Sequence, residues 1–248
     1  MSRVVGIVQA RMGSTRLPGK VLADIAGKPM LGRVIERLGH AGSVDEVVIA
    51  TTPNDRDRPI AEMAARCGCR CYKGDEEDVL ARYLRAAEES DADIIVRVTS
   101  DCPLIDPAQV DETVSLYFHE NADYAANGCI AYLLPRGSEV EVFAAAALRG
   151  IEPQATKRYE RVHVTPYFYR HPEKFRIAFL EAQGPYRRPD LRVCVDTQED
   201  LDLVRAVYER LDRGSNDFSI LDVIKLLDSK PRLKALNAHI HQKKLQEG

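Results

Sequence analysis

Three cationic side chains follow a short apolar run near the start of the sequence. The run over residues 4–8 is rich in β-branched residues and has no alternating polar positions, which is typical of a strand buried on both faces. The loop over residues 9–20 contains two glycines, a proline and a Ser-Thr pair, and it carries Arg11, Arg16 and Lys20. Backbone N–H groups that approach a ligand closely, next to fixed cations, form a receptor for a polyanion such as a triphosphate. The alternative is a basic surface loop that only ends the strand.

This loop matches neither of the two best-known phosphate-binding motifs. It contains no Gly-x-x-x-x-Gly-Lys-Ser/Thr sequence, and no Gly-x-Gly-x-x-Gly follows the strand. Phosphate binding therefore has to come from the loop's own cations and glycines.

Two carboxylates stand directly after predicted strands. Asp101 follows the apolar run at 93–99, and Asp196 follows the run at 191–195. In open α/β sheets ligands bind at the carboxyl ends of the strands. A lone Asp at such a place is commonly a helix cap, but Asp106 already fits that role for the next helix, which leaves Asp101 available as a ligand. Two such acids can hold one Mg²⁺ while the metal keeps waters and takes phosphate oxygens.

The elements that must position these residues alternate between short apolar runs and helical periodicities. Such alternation predicts an α/β fold with a sheet flanked by helices. The predicted strands cover 4–8, 46–52, 70–72, 93–99, 122–127, 138–143, 175–180 and 191–195. The predicted helices cover about 30–41, 56–66, 74–89, 107–119, 143–150, 197–212, 219–227 and 231–245.

The pattern changes in the second half of the chain. Residues 138–143 alternate between polar and apolar side chains, which predicts a half-exposed strand in a peripheral lobe at about 128–190. We expect one domain over 1–230 and a C-terminal helix over 231–248. The lobe supplies the predicted acceptor pocket. Its members are Arg136, Glu139, Glu141 and His163.

Two further stretches leave alternatives open. The aromatic and charged stretch at 158–170 is either a subunit interface or the wall of a polar ligand site. The acids at 75–78 either cap the following helix or touch a base or ribose.

Composition limits the other classes of function. The chain has 248 residues, 45% of them hydrophobic, and a formal charge of −3, which removes any general argument for nucleic-acid binding. No apolar run reaches the ~18 residues of a membrane span, and the first residues leave no room for a signal peptide, so we expect a cytoplasmic protein. The six cysteines do not suggest a disulfide framework in that compartment.

With these residues identified, the sequence resembles the cytidylyltransferases that activate sugar acids. These include the 3-deoxy-manno-octulosonate and acylneuraminate enzymes and, most similar, the branch called spore coat polysaccharide biosynthesis protein F. The matching motifs are Ala10-Arg11-x-x-Ser14-Thr15-Arg16-Leu17-Pro18-Gly19-Lys20, Asp101-x-Pro103-Leu104-Ile105, Glu160-Arg161-x-His163-Val164-Thr165-Pro166-Tyr167 and Val195-Asp196-Thr197-x-Glu199-Asp200-Leu201.

The resemblance implies a nucleotide-diphospho-sugar transferase fold, Rossmann-like and GT-A-like, with a small dimerisation lobe and a homodimeric assembly. It implies transfer of CMP from CTP to a hydroxyl of a keto-deoxy or nonulosonic acid, with release of pyrophosphate. Arg11, Lys20 and Asp101 are then the catalytic residues, and Asp101 and Asp196 bind Mg²⁺. The implied nucleotide contacts are Gln9, Ala10, Arg11, Met12, Gly13, Ser14, Arg16, Lys20, Asp78 and Thr99.

Two other functions compete with this interpretation. A glycosyltransferase on the same kind of sheet would usually show an Asp-x-Asp metal motif, but the candidates at 91–93 and 200–202 lie before a strand and inside a helix. A non-catalytic nucleotide-binding protein is the other alternative, and the intact Arg11, Lys20, Asp101 and Asp196 argue against it.

Overall fold

Seven strands form one mixed sheet in the structure, a computed structural model that describes residues 2–128 and 133–242. The strands along the chain are β1 (Val4–Gln9), β2 (Asp24–Ile25), β3 (Lys28–Pro29), β4 (Glu46–Thr51), β5 (Arg70–Lys73), β6 (Ile94–Thr99), β7 (Tyr124–Ala126), β8 (Glu141–Ala144) and β9 (Ile177–Phe179). The order across the sheet is β5-β4-β1-β6-β8-β7-β9, and β2 and β3 pair with each other in a separate small hairpin.

Helices cover both faces of this sheet. They are α1 (Met30–Gly39), α2 (Arg58–Arg66), α3 (Val79–Glu89), α4 (Pro107–His119), α5 (Ala145–Ile151), α6 (Arg158–His163), α7 (Pro166–Arg170), α8 (Gln198–Leu211), α9 (Ile220–Ser229) and α10 (Pro231–Lys234). The expected α/β fold is confirmed.

Strand β1 lies in the middle of the parallel part of the sheet, paired with β4 and β6. Successive side chains of a strand point to opposite faces. Val8 accordingly packs in the core with α1, α4 and α8, whereas Ile7 packs in a second core with α3, α5 and α7. The uninterrupted apolar run of β1 therefore reflects burial on both faces, as the sequence predicted.

The expectation for the strand after residue 138 is wrong. Strand β8 is buried and lies inside the main sheet, antiparallel to both β6 and β7. Its polar member, Glu141, is buried because it pairs with Arg97 on the neighbouring strand β6. The alternation of polar and apolar residues thus marks a buried ion pair and not a wet face.

Two predicted helix starts also differ from the structure. Helix α3 begins at Val79, five residues later than expected, because Asp78 caps it by accepting the Ala81 N–H and the preceding acids form a turn around Asp75. Helix α2 begins at Arg58, two residues later than the expected start at about residue 56, because a short 3-10 turn over Asp55–Asp57 precedes it.

The predicted last strand at 191–195 is not a strand. Its residues are buried, but they form only an isolated bridge. The N–H groups of Val193 and Cys194 both donate to the Arg136 carbonyl, and the Val195 N–H donates to the Asp101 carbonyl. The predicted C-terminal helix is much shorter than expected, because α10 ends at Lys234. The chain then turns, and the Asn237 side chain is buried beside Arg192. Residues 243–248 of that prediction, and residues 129–132 of the predicted lobe, lie outside the described residues.

Within the residues that the structure describes, no helix is both long enough and apolar enough to cross a membrane.

Candidate active site

A cleft of about 430 Å³ opens at the carboxyl ends of β1 and β6. Among the described residues, seven arginines and lysines line this cleft, against five aspartates and glutamates. The cleft is therefore locally cationic in a chain whose formal charge is −3. Such an excess favours an anionic ligand.

The loop after β1 is held in a fixed shape by its own backbone. The Met12 carbonyl accepts the N–H groups of Ser14 and Gly19, at 2.9 and 3.1 Å. Gly19 has φ 71°, a left-handed conformation that glycine adopts without strain. The Met12 N–H donates to Asp57, which is fully buried at the start of α2 and also accepts the Thr52 hydroxyl. The loop is thus anchored to the neighbouring strand and helix.

Lys20, at the end of the loop, lies between the two carboxylates that the sequence singled out. Its Nζ donates to Asp101 Oδ2 at 3.0 Å, to Asp196 Oδ1 at 2.8 Å and to the Val195 carbonyl at 2.7 Å. The Val195 N–H in turn donates to the Asp101 carbonyl. Residues that are 81 and 176 positions apart from Lys20 in the chain therefore form one cluster.

The mutual charges keep all three groups ionised. Burial alone would lower the pKa of Lys20, but the two carboxylates outweigh it and raise that pKa above its usual value. Burial would raise the pKa of Asp101 and of Asp196, but the adjacent Lys20 charge outweighs it, so both pKa values lie below the usual value for aspartate. The cluster presents ionised carboxylates at neutral pH.

The other two loop cations contact different acids of the cleft. Arg16 Nη2 contacts Asp196 Oδ2 at 2.8 Å. Arg11 is about half exposed and lies 3.5 Å from Glu76, which precedes α3. Arg11 and Arg16 therefore reach into the cleft from the same loop that carries Lys20.

The structure brings most of the predicted site residues together. Those that line the cleft are Gln9, Ala10, Arg11, Gly13, Ser14, Arg16, Lys20, Thr99, Asp101, Arg136, Glu139, His163 and Asp196. The Thr99 hydroxyl donates to Asp101, which orients that carboxylate from the end of β6.

Three predicted residues do not line the cleft. The Met12 backbone holds the loop together. Asp78 caps α3 and forms an ion pair with Arg161. Glu141 is buried, where it accepts the Tyr124 and Thr165 hydroxyls and pairs with Arg97. The contacts shown by Asp78 and Glu141 are structural.

The predicted acceptor end of the cleft is built around Gly137. This residue has φ 101°, and a Cβ there would overlap the Cys194 backbone nitrogen. The close approach lets Arg136 bond through its backbone to both Leu191 and Val193. Glu139 accepts the Gly137 N–H at 2.6 Å, and burial raises the pKa of its carboxyl group.

Several cleft residues were not found from the sequence. Arg97 interrupts the apolar run of β6, and a charged residue inside a buried strand was the signal that could have drawn attention to it. Arg82 lies on helix α3, where an arginine is ordinary. Gln242 comes from the C-terminal segment, and no local pattern connects it with the cleft.

The stretch at 158–170 serves two purposes. Phe168 is fully buried and stacks on Tyr124, with ring centroids 5.4 Å apart, so this aromatic belongs to the core. Arg158, Val162 and His163 line the cleft from helix α6. The part of the stretch before residue 164 thus forms one wall of a polar site.

The residues present fit a site for Mg²⁺. No set of three His, Cys, Asp or Glu side chains is arranged to hold a metal ion within residues 2–128 and 133–242. Mg²⁺ commonly uses only one or two carboxylates and takes its other ligands from water and substrate phosphates. Asp101 and Asp196 offer such a pair of ionised oxygen donors beside the cationic loop.

Comparison with known proteins agrees with this geometry. The sequence profile of the family described as "Cytidylyltransferase" matches residues 5–225. The spore coat polysaccharide biosynthesis protein SpsF of Bacillus subtilis is 34% identical over 238 residues, which are 93% of this chain and 96% of that protein. A 3-deoxy-manno-octulosonate cytidylyltransferase of Geobacter metallireducens is 43% identical over 115 residues, 46% of this chain and 44% of that protein.

A solved structure agrees over nearly the whole chain. A cytidylyltransferase from Leptospira borgpetersenii superposes with a TM-score of 0.90 at 32% identity, and the match covers 98% of this chain and 100% of that one. The family resemblance drawn from the motifs is confirmed. The chain belongs to the cytidylyltransferase family of enzymes.

Proposed function

We propose that this enzyme transfers CMP from CTP to a hydroxyl of a sugar acid and releases pyrophosphate. The observation that carries the proposal is the cluster of Lys20, Asp101 and Asp196 at the end of a cationic loop. It combines the charges that a triphosphate requires with a pair of carboxylates suited to Mg²⁺.

In the proposed reaction, the acceptor hydroxyl oxygen forms a bond to the α-phosphorus of CTP. The bond from that phosphorus to the bridging oxygen breaks, pyrophosphate leaves with the electron pair, and the hydroxyl proton passes to solvent. Phosphoryl transfer needs little covalent help from a protein, so the residues act by alignment and charge neutralisation. Arg11, Arg16 and Lys20 hold the triphosphate, and Lys20 and Arg11 stabilise charge on the reacting and leaving phosphates.

Mg²⁺ would be held by Asp101 and Asp196 together with oxygens of the substrates. When bound, such an ion neutralises phosphate charge and polarises the phosphoryl oxygen. Lys20 contacts both carboxylates and therefore sets the distance between them.

The class of acceptor is inferred from polar side chains that line the cleft and from the names of two related proteins. Arg136, Glu139 and His163 line the cleft, and Arg136 offers a cation for the carboxylate of a sugar acid. One relative is named as an octulosonate cytidylyltransferase, and another as a spore coat polysaccharide biosynthesis protein. We infer an acceptor that is a keto-deoxy or nonulosonic acid used in cell-surface polysaccharides, including those of spore coats.

We also propose that the enzyme works in the cytoplasm as a homodimer. Light scattering coupled to size-exclusion chromatography tests the assembly, with about twice the chain mass of 27.8 kDa as the expected result. A particle of one chain mass at assay concentration would remove the dimer from the proposal.

The experiment that tests the function measures pyrophosphate release with Mg²⁺, each of the four nucleoside triphosphates, and a panel of keto-deoxy and nonulosonic acids. Release with CTP and one acid alone is the expected result. No release with any mixture, while CTP still raises the melting temperature, would contradict the reaction and favour a non-catalytic nucleotide-binding protein.

A glycosyltransferase function gains no support from the Asp-x-Asp candidates. Asp200 is fully buried in α8, where it binds Arg192, and Asp93 accepts the Arg3 N–H at the opposite end of β6 from the cleft.

A further inference from the structure

A buried arginine holds the carboxylate of Asp196 from outside the cleft. Arg192 Nη2 donates to Asp196 Oδ2 at 2.6 Å, and the Arg192 side chain is 9% exposed. Lys20 and Arg16, the other cations on this carboxylate, line the cleft and face the substrate side, whereas Arg192 does not line it. Arg192 is thus placed to orient Asp196 without meeting the substrate.

The guanidinium of Arg192 is itself fixed by a fully buried carboxylate. Its Nε donates to Asp200 Oδ1 at 3.0 Å. The other oxygen of Asp200 accepts the N–H groups of Asp196 and Thr197, at 2.9 and 3.1 Å. Asp200 therefore restrains Asp196 in two ways, directly at its backbone and through Arg192 at its carboxylate.

The C-terminal segment completes this network. Asn237 Nδ2 lies 2.7 Å from Asp200 Oδ1 and 3.0 Å from the Arg192 carbonyl oxygen, and it donates to both. Gln242 accepts from Arg192 Nη1 at 2.7 Å. Asn237 and Gln242, which follow α10, thus restrain the two residues that hold Asp196, the candidate metal ligand.

We propose that Arg192, clamped by Asp200 and Asn237, is a positioning residue that fixes the Asp196 carboxylate for metal binding. The inference rests on the proposed function, in which Asp196 holds Mg²⁺. Partners that hydrogen-bond a ligating carboxylate set its orientation, and their loss typically costs about 10–100-fold in metal affinity or activity.

Arg192→Lys tests this role with the charge retained. A lysine cannot form the two-pronged contact with Asp196 and Asp200, so only geometry is lost. The probe is Mn²⁺, titrated into the full chain with CTP present and no acceptor. Free Mn²⁺ is measured by electron paramagnetic resonance and compared with the same titration of CTP without protein, because CTP itself binds Mn²⁺. We expect Mn²⁺ binding to be about 10-fold weaker or more. In the assay, the Mg²⁺ concentration for half-maximal rate should rise more than the KM for CTP.

Arg188→Lys is the matched control. Arg188 also bridges two aspartates, Asp190 at 2.9 Å and Asp228 at 2.7 Å, but it lies outside the cleft. Its replacement should leave Mn²⁺ binding unchanged. If wild type and Arg188→Lys bind Mn²⁺ and Arg192→Lys binds it equally tightly, the positioning role is overturned while the proposed function stands. If wild type itself binds no Mn²⁺ with CTP present, the proposed metal site falls and the positioning role falls with it.

Asn237→Ala decides the question if Arg192→Lys does not fold, as judged by circular dichroism. It leaves the Arg192 side chain and its charge in place but removes a restraint on Asp200. Several-fold weaker Mn²⁺ binding is expected. Binding equal to that of wild type would overturn the proposal.

Discussion

Lys20 uses all three of its ammonium protons within the candidate site. Two bond to Asp101 and Asp196, and the third bonds to the Val195 carbonyl. An ammonium in this arrangement both restrains the carboxylates and places a positive charge next to the phosphate-binding loop. Replacement of Lys20 therefore removes alignment and charge together.

Lys20→Ala should lower turnover by about 10²-fold or more, as expected when a preorganised charge contact is lost. The measurement is the steady-state rate of pyrophosphate release at saturating CTP and acceptor. Lys28→Ala is the control, because Lys28 is an exposed lysine that pairs with Glu36 away from the cleft. Near-normal turnover of Lys20→Ala would remove Lys20 from the mechanism.

Glu139 should make stability depend on pH. Burial raises the pKa of its carboxyl group, so the folded protein holds this proton more tightly than the unfolded chain does. Stability is then lost as pH rises from the usual glutamate value, about 4.3, through the raised value. Glu139→Gln removes that loss while its amide oxygen can still accept the Gly137 N–H. Its melting temperature should exceed that of wild type at pH 7, with a difference that shrinks below about pH 4.

Wild type measured over the same pH range is the control, because the two proteins differ in one titratable group. A difference in melting temperature between Glu139→Gln and wild type that stays constant with pH would contradict the conclusion that burial raises the pKa of Glu139.

At the scale of elements, the turn before β8 and the irregular segment at 191–195 depend on each other. Gly137 packs directly on the Cys194 backbone, and Arg136 bonds to Leu191 and Val193 on either side. Asp196 follows at once, so this contact determines where the carboxylate lies. The two segments act as one support for the site.

Gly137→Ala should destabilise the protein by roughly 2 kcal/mol or more, because a Cβ is strained at φ 101° and overlaps the Cys194 nitrogen. The measurement is urea unfolding followed by circular dichroism. Turnover should fall as well, since the segment that leads to Asp196 has to shift. Gly150→Ala is the matched control: Gly150 lies in α5 with open space around its Cα, and alanine there should be neutral or stabilising by about 0.5–1 kcal/mol. Equal stabilities for the two variants would contradict the close packing.

For the molecule as a whole, Arg37 connects distant parts of the chain. Its guanidinium is fully buried and donates to the carbonyls of Ile105, Asn216 and Phe218, and it stacks over the Phe218 ring at 4.6 Å. It thereby joins α1 to the segments before α4 and α9. The segment that leads into α9 is held against α1 partly through this residue.

Arg37→Met should destabilise the fold by about 3 kcal/mol or more, because it leaves several buried carbonyls without donors. Thermal and urea unfolding measure the effect. Arg58→Met is the control. Arg58 is exposed and pairs with Glu62 four residues away, so its replacement should change the free energy of unfolding by no more than about 0.5 kcal/mol. A cost for Arg37→Met as small as that of the control would show that solvent replaces the lost hydrogen bonds.

Much of the fold and part of the candidate site could be predicted because the signals were local. The apolar run of β1, the loop cations and the Asp106-Pro107 start of α4 depend only on residues close together in the chain. The helix expected over about 197–212 is also found, as α8, because its start depends on neighbouring residues: Thr197 and Asp200 bond to each other's backbone. Asp101 and Asp196 were found for a related reason, as each follows an apolar run that leads to the cleft.

The features that the sequence did not predict, such as the position of β8 and the irregular segment at 191–195, depend on contacts between distant residues. A buried ion pair with Arg97 puts the alternating strand β8 inside the sheet, because desolvated opposite charges satisfy each other. The apolar run at 191–195 is buried without being a strand, since its backbone bonds to Arg136 and Asp101. The sequence by itself determined which residues could do chemistry. Only the tertiary structure decided that these residues meet, because local sequence periodicity does not specify contacts between residues far apart in the chain. The residues that meet are Lys20, Asp101, Asp196 and Arg192.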